Sequence, residues 1–269
     1  MRLTIRHTTR YSFSEPAILT AQMLRLTPQP CMGLSVLSWR VFSDRPGALP
    51  SHTDGYGNLT HLLTRRGAHS TIIISVEGVV ETRDMGGRVQ GAPEPLPPGY
   101  FLRQTVQTAP DAAIAALALD AQGADPLAMV DALVTTIGAR VTYRTGVTVS
   151  ATTAAQALAT GAGVCQDHAQ ILIAVARLRG WPARYVSGYL WPGANARDEP
   201  ASHAWAEIWL DGEGWIGFDP ANGVRPGEQY LRLAVGLDSI EAAPVRGIRR
   251  GPGDETLAVS VRVDAADQQ

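Results

Sequence analysis

A thiol, an imidazole and a carboxylate stand within residues 165–219, each where its surroundings would give it chemical work. Cys165 follows Gly161-Ala162-Gly163-Val164. It opens a run, 165–179, in which Ala169, Ile171, Leu172, Ile173, Val175, Ala176 and Leu178 predict a helix apolar nearly all round, hence buried. At a helix start the first N–H groups lack intrahelical partners and the dipole end is positive, so a thiolate is stabilised there. Such a setting lowers a cysteine pKa below its free value of about 8.5 and makes the sulfur a nucleophile. The preceding glycines are expected to let a substrate backbone come close, and the Cys165 N–H could serve an oxyanion. Taken alone, a cysteine in an apolar helix is more often a structural residue.

The partners lie downstream. His203 begins the alternating stretch Ala201-Ser202-His203-Ala204-Trp205-Ala206-Glu207-Ile208-Trp209, which reads as a strand with His203, Trp205, Glu207 and Trp209 on one face. A half-buried histidine beside tryptophans can take a proton from a thiol; its plainer role is a core histidine satisfied by a carbonyl. Asp219 ends the next strand, in Trp215-Ile216-Gly217-Phe218-Asp219-Pro220, sixteen residues after His203, a separation one hairpin can close. An aspartate before proline is often only a turn former, yet this one is also placed to orient an imidazole. A nucleophile-bearing helix, a base-bearing strand and an acid-bearing neighbour together satisfy the nucleophile–base–orienter requirement that no single residue meets.

The elements around these residues predict an α+β fold. Residues 1–85 read as antiparallel strands: Leu3, Ile5, Tyr11 and Phe13 alternate, 36–42 and 70–80 are further candidates, and Asp54-Gly55-Tyr56-Gly57-Asn58 reads as a reversal. A small β-sandwich-like domain is the expectation. Residues 86–99, with Pro93, Pro95, Pro97 and Pro98, read as a linker. A core over 100–245 follows. Its helices are expected at 110–121, after the Asp125-Pro126 cap, and from Thr152 or Thr153 to Ala159 with Gly161 as the stop. Beyond the Cys165 helix, which Gly180 and Trp181-Pro182 end, strands are expected at 183–190, 202–210 and 214–219, separated by Pro/Gly/Asn/Asp loops. The tail, 246–269, carries a last strand at 256–263 that could return to either region.

Composition narrows the function. The 269 residues are 45% hydrophobic and 18% charged, with a formal net charge of −2, which excludes a disordered chain and gives no basic footprint for nucleic acid. All 23 basic residues are arginine, so the chain cannot offer itself as a lysine donor. No apolar run is long enough to span a bilayer, and 1–30 lacks the features of an export signal. Cys31 and Cys165 are too few for a disulfide framework; a reducing cytoplasm is the expectation, with a lone bridge left open.

Four segments carry a resemblance: Gly163-Val164-Cys165-Gln166-Asp167-His168-Ala169, Pro182-Ala183-Arg184-Tyr185-Val186-Ser187-Gly188-Tyr189, Ser202-His203-Ala204-Trp205-Ala206-Glu207 and Gly214-Trp215-Ile216-Gly217-Phe218-Asp219-Pro220. They resemble, in order, the bacterial transglutaminase-like family of cysteine-dependent enzymes. Arg6-His7-Thr8-Thr9-Arg10-Tyr11 and the Asp54–Asn58 segment resemble the β-rich domain that precedes such cores. The resemblance implies a papain/transglutaminase-like α+β core, with Cys165 as nucleophile, His203 as general base and acid, and Asp219 orienting His203. Leu237-Asp238-Ser239-Ile240 departs from the more polar, aromatic-containing segment of relatives.

The expected chemistry is amide-bond hydrolysis through a thioester on a peptide, protein or small amide, with no cofactor. The alternatives are transfer of the acyl group to an amine, or a non-catalytic binding module on the same fold. Tyr143 could donate a hydroxyl to the oxyanion site, although an ordinary core tyrosine has the same appearance. His168 lies one turn from Cys165, but no second Cys or His motif supports a metal site. Asp167 reads as a helix-dipole partner, and Arg177, Arg179 and Arg184 as solvated or paired. Five tryptophans between 181 and 215 suit core packing or a cleft wall, and Gly86-Gly87 lacks the context of a phosphate loop. The N-terminal strands could bind a protein partner or shape one side of the cleft.

Overall fold

The computed structural model describes residues 1–193 and 201–265. In chain order the strands β1 (Arg2–Thr27), β2 (Leu34–Ser43), β3 (Ser51–Thr53), β4 (Leu59–Thr82) and β5 (Arg88–Val89) come first. A 3-10 turn (Pro98–Leu102), α1 (Ala112–Leu119), α2 (Pro126–Arg140), β6 (Thr142–Tyr143), α3 (Ala154–Thr160), β7 (Ala162–Gly163) and α4 (Cys165–Leu178) follow. The remainder is strand: β8 (Ala183–Leu190), β9 (Ser202–Leu210), β10 (Gly214–Phe218), β11 (Tyr230–Gly236), β12 (Val245–Arg250) and β13 (Glu255–Ala265). Most of the loop between β8 and β9, and the end of the tail, lie outside the described residues. Among those residues no helix is long and apolar enough to cross a membrane.

Two sheets organise the chain. In the first, β1 and β4 pair antiparallel along nearly their whole length, with register shifts around Pro16, whose missing N–H interrupts the ladder. Its order is β12-β1-β4-β2, with β13 also on β1 and β3 on β4. The N-terminal region is therefore β-rich and antiparallel, one continuous sheet rather than two. Its second layer comes from the core: Leu3, Ile5, Leu24, Ile72 and Ile74 share a buried cluster with Tyr189, Leu231 and Leu233 of β8 and β11. The tail returns to this first sheet, because β13 covers Leu3 to Phe13 on the edge of β1 that β4 leaves free.

The second sheet has the order β11-β8-β9-β10-β5. Residues 86–99 are an ordered strap. Val89 and Arg88 pair with Trp215 and Ile216, and Glu94 ion-pairs with Arg184 at 2.7 Å. Proline density forbids a long ladder, but two residues at a sheet edge satisfy it.

The reversal Asp54–Asn58 is also a joint. The Asn58 side chain both donates to Val235 O and accepts from Val235 N, each at 2.8 Å, completing the ladder of β11 from another domain. Helix caps follow the sequence signals. Asp125 accepts from Ala128 N with Pro126 at the first helical position, and Thr153 and Gln156 form a capping box. α4 is buried from Asp167 to Arg177, while Leu178, expected in the apolar face, is exposed at its end. Ile171, Leu172, Ile173 and Val175 are all at 0% exposure. Each such side chain contributes roughly 1.5–3 kcal/mol, so the helix that begins with Cys165 is a rigid mount.

Candidate active site

Cys165 is the first residue of α4, His203 the second of β9, and Asp219 directly follows β10. Two pairings bring them together. α4 packs its apolar face on β9, through a core that includes Ala204, Ala206 and Ile208, and antiparallel pairing sets Phe218 opposite Ala206. His203 Nε2 donates to Asp219 Oδ2 at 2.6 Å, and the Cys165 thiol is near enough to the same ring to favour its charged form. Since Asp219 takes Nε2, Nδ1 is the nitrogen left for the sulfur. Trp205 stacks on the imidazole at 6.3 Å between centroids, and Tyr230 flanks it at 5.9 Å.

The electrostatics follow from these partners. Burial disfavours a charged imidazole, but the hydrogen bonds and charges of Asp219 and Cys165 outweigh it and raise the His203 pKa to about 9. Burial likewise pushes Asp219 up. Its bonds to His203, Tyr230 and Asn222, together with the ring's charge, hold it below the usual carboxylate range instead. That carboxylate is fully occupied: Oδ2 accepts from Tyr230 Oη at 2.8 Å and Asn222 Nδ2 at 2.7 Å, and Oδ1 accepts the N–H groups of Ala221 and Asn222. Sequence reasoning missed both side chains. Asn222 was findable, because an Asp followed three residues later by Asn is a side-chain-capped turn. Tyr230 arrives from β11, and no local pattern announces it.

Other sequence candidates take definite places. Tyr143 is half exposed on β6, which pairs in parallel with β7 just before Cys165, and its ring stacks on His168 at 6.3 Å. Both ring nitrogens of His168 face backbone carbonyls, Val164 O at 2.9 Å and Val141 O at 2.8 Å, so neither is turned to a ligand shared with Cys165. Asp167 caps α4, accepting from Val164 N at 2.8 Å and from Thr148 Oγ1 at 2.7 Å.

The glycines before Cys165 have structural roles. Gly161 ends α3 at φ +68°, and a Cβ on Gly163 would lie 2.6 Å from Asp167 Oδ2. Arg177 and Arg184 are buried and paired, Arg177 with three carbonyls and Thr108, Arg184 with Glu94 and Glu207. Arg179 reaches Ala118 O and lies over Trp181. Of the five tryptophans only Trp205 touches the His203 ring; Trp209 and Trp215 pack with Phe101 and Leu237 in a separate cluster. In Leu237–Ile240, Asp238 accepts from Ile240 N and Ser239 donates to Gln170. Cys31 and Cys165 are both free, so the single bridge does not form; burial pushes the Cys31 thiol up.

Comparison with known proteins agrees with the α+β fold. Residues 115–220 match the transglutaminase-like superfamily and residues 3–81 the bacterial transglutaminase-like N-terminal region. The uncharacterized protein ML0607 of Mycobacterium leprae is 30% identical over 97% of this chain and 98% of its own length. A protein-glutamine gamma-glutamyltransferase of Pseudomonas aeruginosa is 36% identical over 34% of this chain and 15% of its own. A crystal structure of a candidate cysteine protease from Cytophaga hutchinsonii superposes with a TM-score of 0.80 at 22% identity, covering 100% of this chain and 92% of that one. The chain belongs to the transglutaminase-like superfamily, with the bacterial N-terminal region preceding its core. Members of this superfamily are usually enzymes and act on proteins or peptides.

Proposed function

We propose that the protein is a cysteine-dependent amide-bond hydrolase, a peptidase or amidase, in which Cys165, His203 and Asp219 act as nucleophile, acid–base and orienter. The observation that carries this reading is His203 held between the Asp219 carboxylate and the Cys165 sulfur. With its pKa at about 9, the imidazole holds a proton at neutral pH. The sulfur anion adds to the amide carbonyl, and the oxyanion gathers at the α4 N-terminus, where the Cys165 N–H is an orphan donor. Tyr143, paired with Gly163 two residues before Cys165, is the proposed second donor. The imidazolium protonates the departing amine as the C–N bond breaks, leaving a thioester. Neutral His203 then takes a proton from water, whose hydroxyl adds to the thioester. Collapse releases a carboxylic acid and returns the sulfur anion beside the protonated ring.

Acyl transfer to an amine uses the same thioester, and the partial similarity to the Pseudomonas gamma-glutamyltransferase keeps it as the second reading. Incubating a glutamine-containing peptide with and without a primary amine, for the wild type and Cys165→Ala, separates them. Hydrolysis predicts a Cys165-dependent acid product that the amine does not divert. Dominant amine incorporation would establish the transferase reading instead.

A further inference from the structure

A cleft of about 320 Å³, whose lining includes the residue after the nucleophile but not Cys165 itself, opens between the start of α4, β8 and the chain running from β11 into β12. Gln166, the residue after Cys165, forms one wall; Tyr185, Ile240, Ala243 and Pro244 give it a largely apolar lining, and Arg246 stands at its rim. We propose that this cleft receives the acyl portion of the substrate, and that the substrate is a peptide bearing an aliphatic side chain next to a carboxylate bound by Arg246. The inference rests on the hydrolase reading and adds a substrate class to it.

Three observations support it. First, the groups touching the His203 ring, Trp205, Tyr230, Asp219 and Asn222, all lie outside the cleft. The amine that His203 protonates therefore departs elsewhere, and the acyl side is left for this wall. Second, Arg246 is exposed on β12 and makes no ion pair among the described residues. Acids of the preceding segment are engaged: Asp238 accepts from Ile240 and Glu241 N–H groups, and Glu241 accepts from Tyr56 and Leu237 N. Among the described residues no acid lines the cleft, so the guanidinium fork is free for a carboxylate. Third, the Tyr185 hydroxyl has no hydrogen-bond partner among the described residues. Burial, with Cys165 and Asp167 nearby, keeps its phenol protonated, so it is one neutral donor inside an apolar pocket. Such a combination orients a peptide and reads its side chain.

The test uses three peptidyl vinyl sulfones, identical except for Glu, Gln or Lys on the acyl side of the electrophile, and reads the rate of Cys165 labelling by mass spectrometry. The expected result is labelling by the Glu probe about 2- to 5-fold faster than by the Gln probe at low salt, the reach of an exposed ion pair. Arg246→Ala abolishes the difference and Arg246→Glu turns the preference to Lys. Equal labelling by the three probes, an order that Arg246→Glu leaves unchanged, or no labelling of Cys165 by any probe overturns the proposal. Matched quenched-fluorescent peptides separate it from the underlying reading. Labelling with the acid preference but no cleavage of any peptide retains the cleft assignment and removes the hydrolase reading.

Discussion

At the scale of single residues the site is governed by which form of His203 its neighbours stabilise. Asp219, fully buried and accepting five hydrogen bonds, exists to hold a charged ring, and it does so against the cost of burial. Asp219→Asn removes the charge and keeps the shape. The imidazolium then loses its main support, and turnover is expected to drop by about 10²-fold or more. The alkaline limb of the pH–rate profile, set by deprotonation of a ring whose pKa is about 9, should move down toward neutrality. Steady-state assays between pH 5 and 10 measure both effects, and an unchanged alkaline limb would contradict the coupling. Tyr230→Phe, which removes one of the bonds to Oδ2, should shift the same limb less far in the same direction.

At the scale of elements, a buried charge network fastens β8, β9, β11 and the Pro-rich strap to one another. Glu207 on β9 receives Arg184 of β8 at 2.6 Å and Arg232 of β11 at 2.9 Å, while Glu94 of the strap takes the other end of Arg184. Glu207→Ala leaves both guanidiniums under-compensated, and Arg184 is itself fully buried with its ring-like plane 3.9 Å from Trp215. A loss of about 3–5 kcal/mol is expected, measurable as a lowered denaturant midpoint; a change below about 1 kcal/mol would show that the sheet does not depend on the network.

Here the limits of sequence reading have a physical cause. The helices at 126–140 and 165–178 and the strand bearing His203 were legible, because caps and periodicity are local. That Gly163 makes room for Asp167 leaves no local trace in the sequence, because the side chain that occupies the space comes from four residues away on the first turn of α4. The strap looked like a linker, because two residues of edge strand and one ion pair leave no periodic trace.

At the scale of the whole molecule, the first and second sheets behave as two layers around a shared core, and polar contacts cross it. His7 on β1 bonds Tyr189 of β8 at 2.5 Å and Thr9 at 2.7 Å, and burial lowers its pKa to about 4. The folded ring stays neutral where an unfolded one, near 6.5, takes up a proton. Stability from this residue is therefore complete above pH 6.5 and lost as pH falls toward 4, on the order of 3 kcal/mol across that window. Unfolding free energies for the wild type and His7→Asn between pH 7 and 4 check it; the difference between the two proteins should shrink as pH falls, and a constant difference would be a contradiction. Asn58, bonded to Val235 of β11, ties the layers in the same way, and the sulfur on α4 meets the ring on β9 in the assembled chain. Alkylation at pH 6 tests that meeting most directly. Iodoacetamide should modify Cys165 of the wild type several-fold faster than free cysteine, with the advantage lost in His203→Ala. A Cys165 rate equal to that of free cysteine, or one indifferent to His203, would contradict a thiol and an imidazole working as a pair.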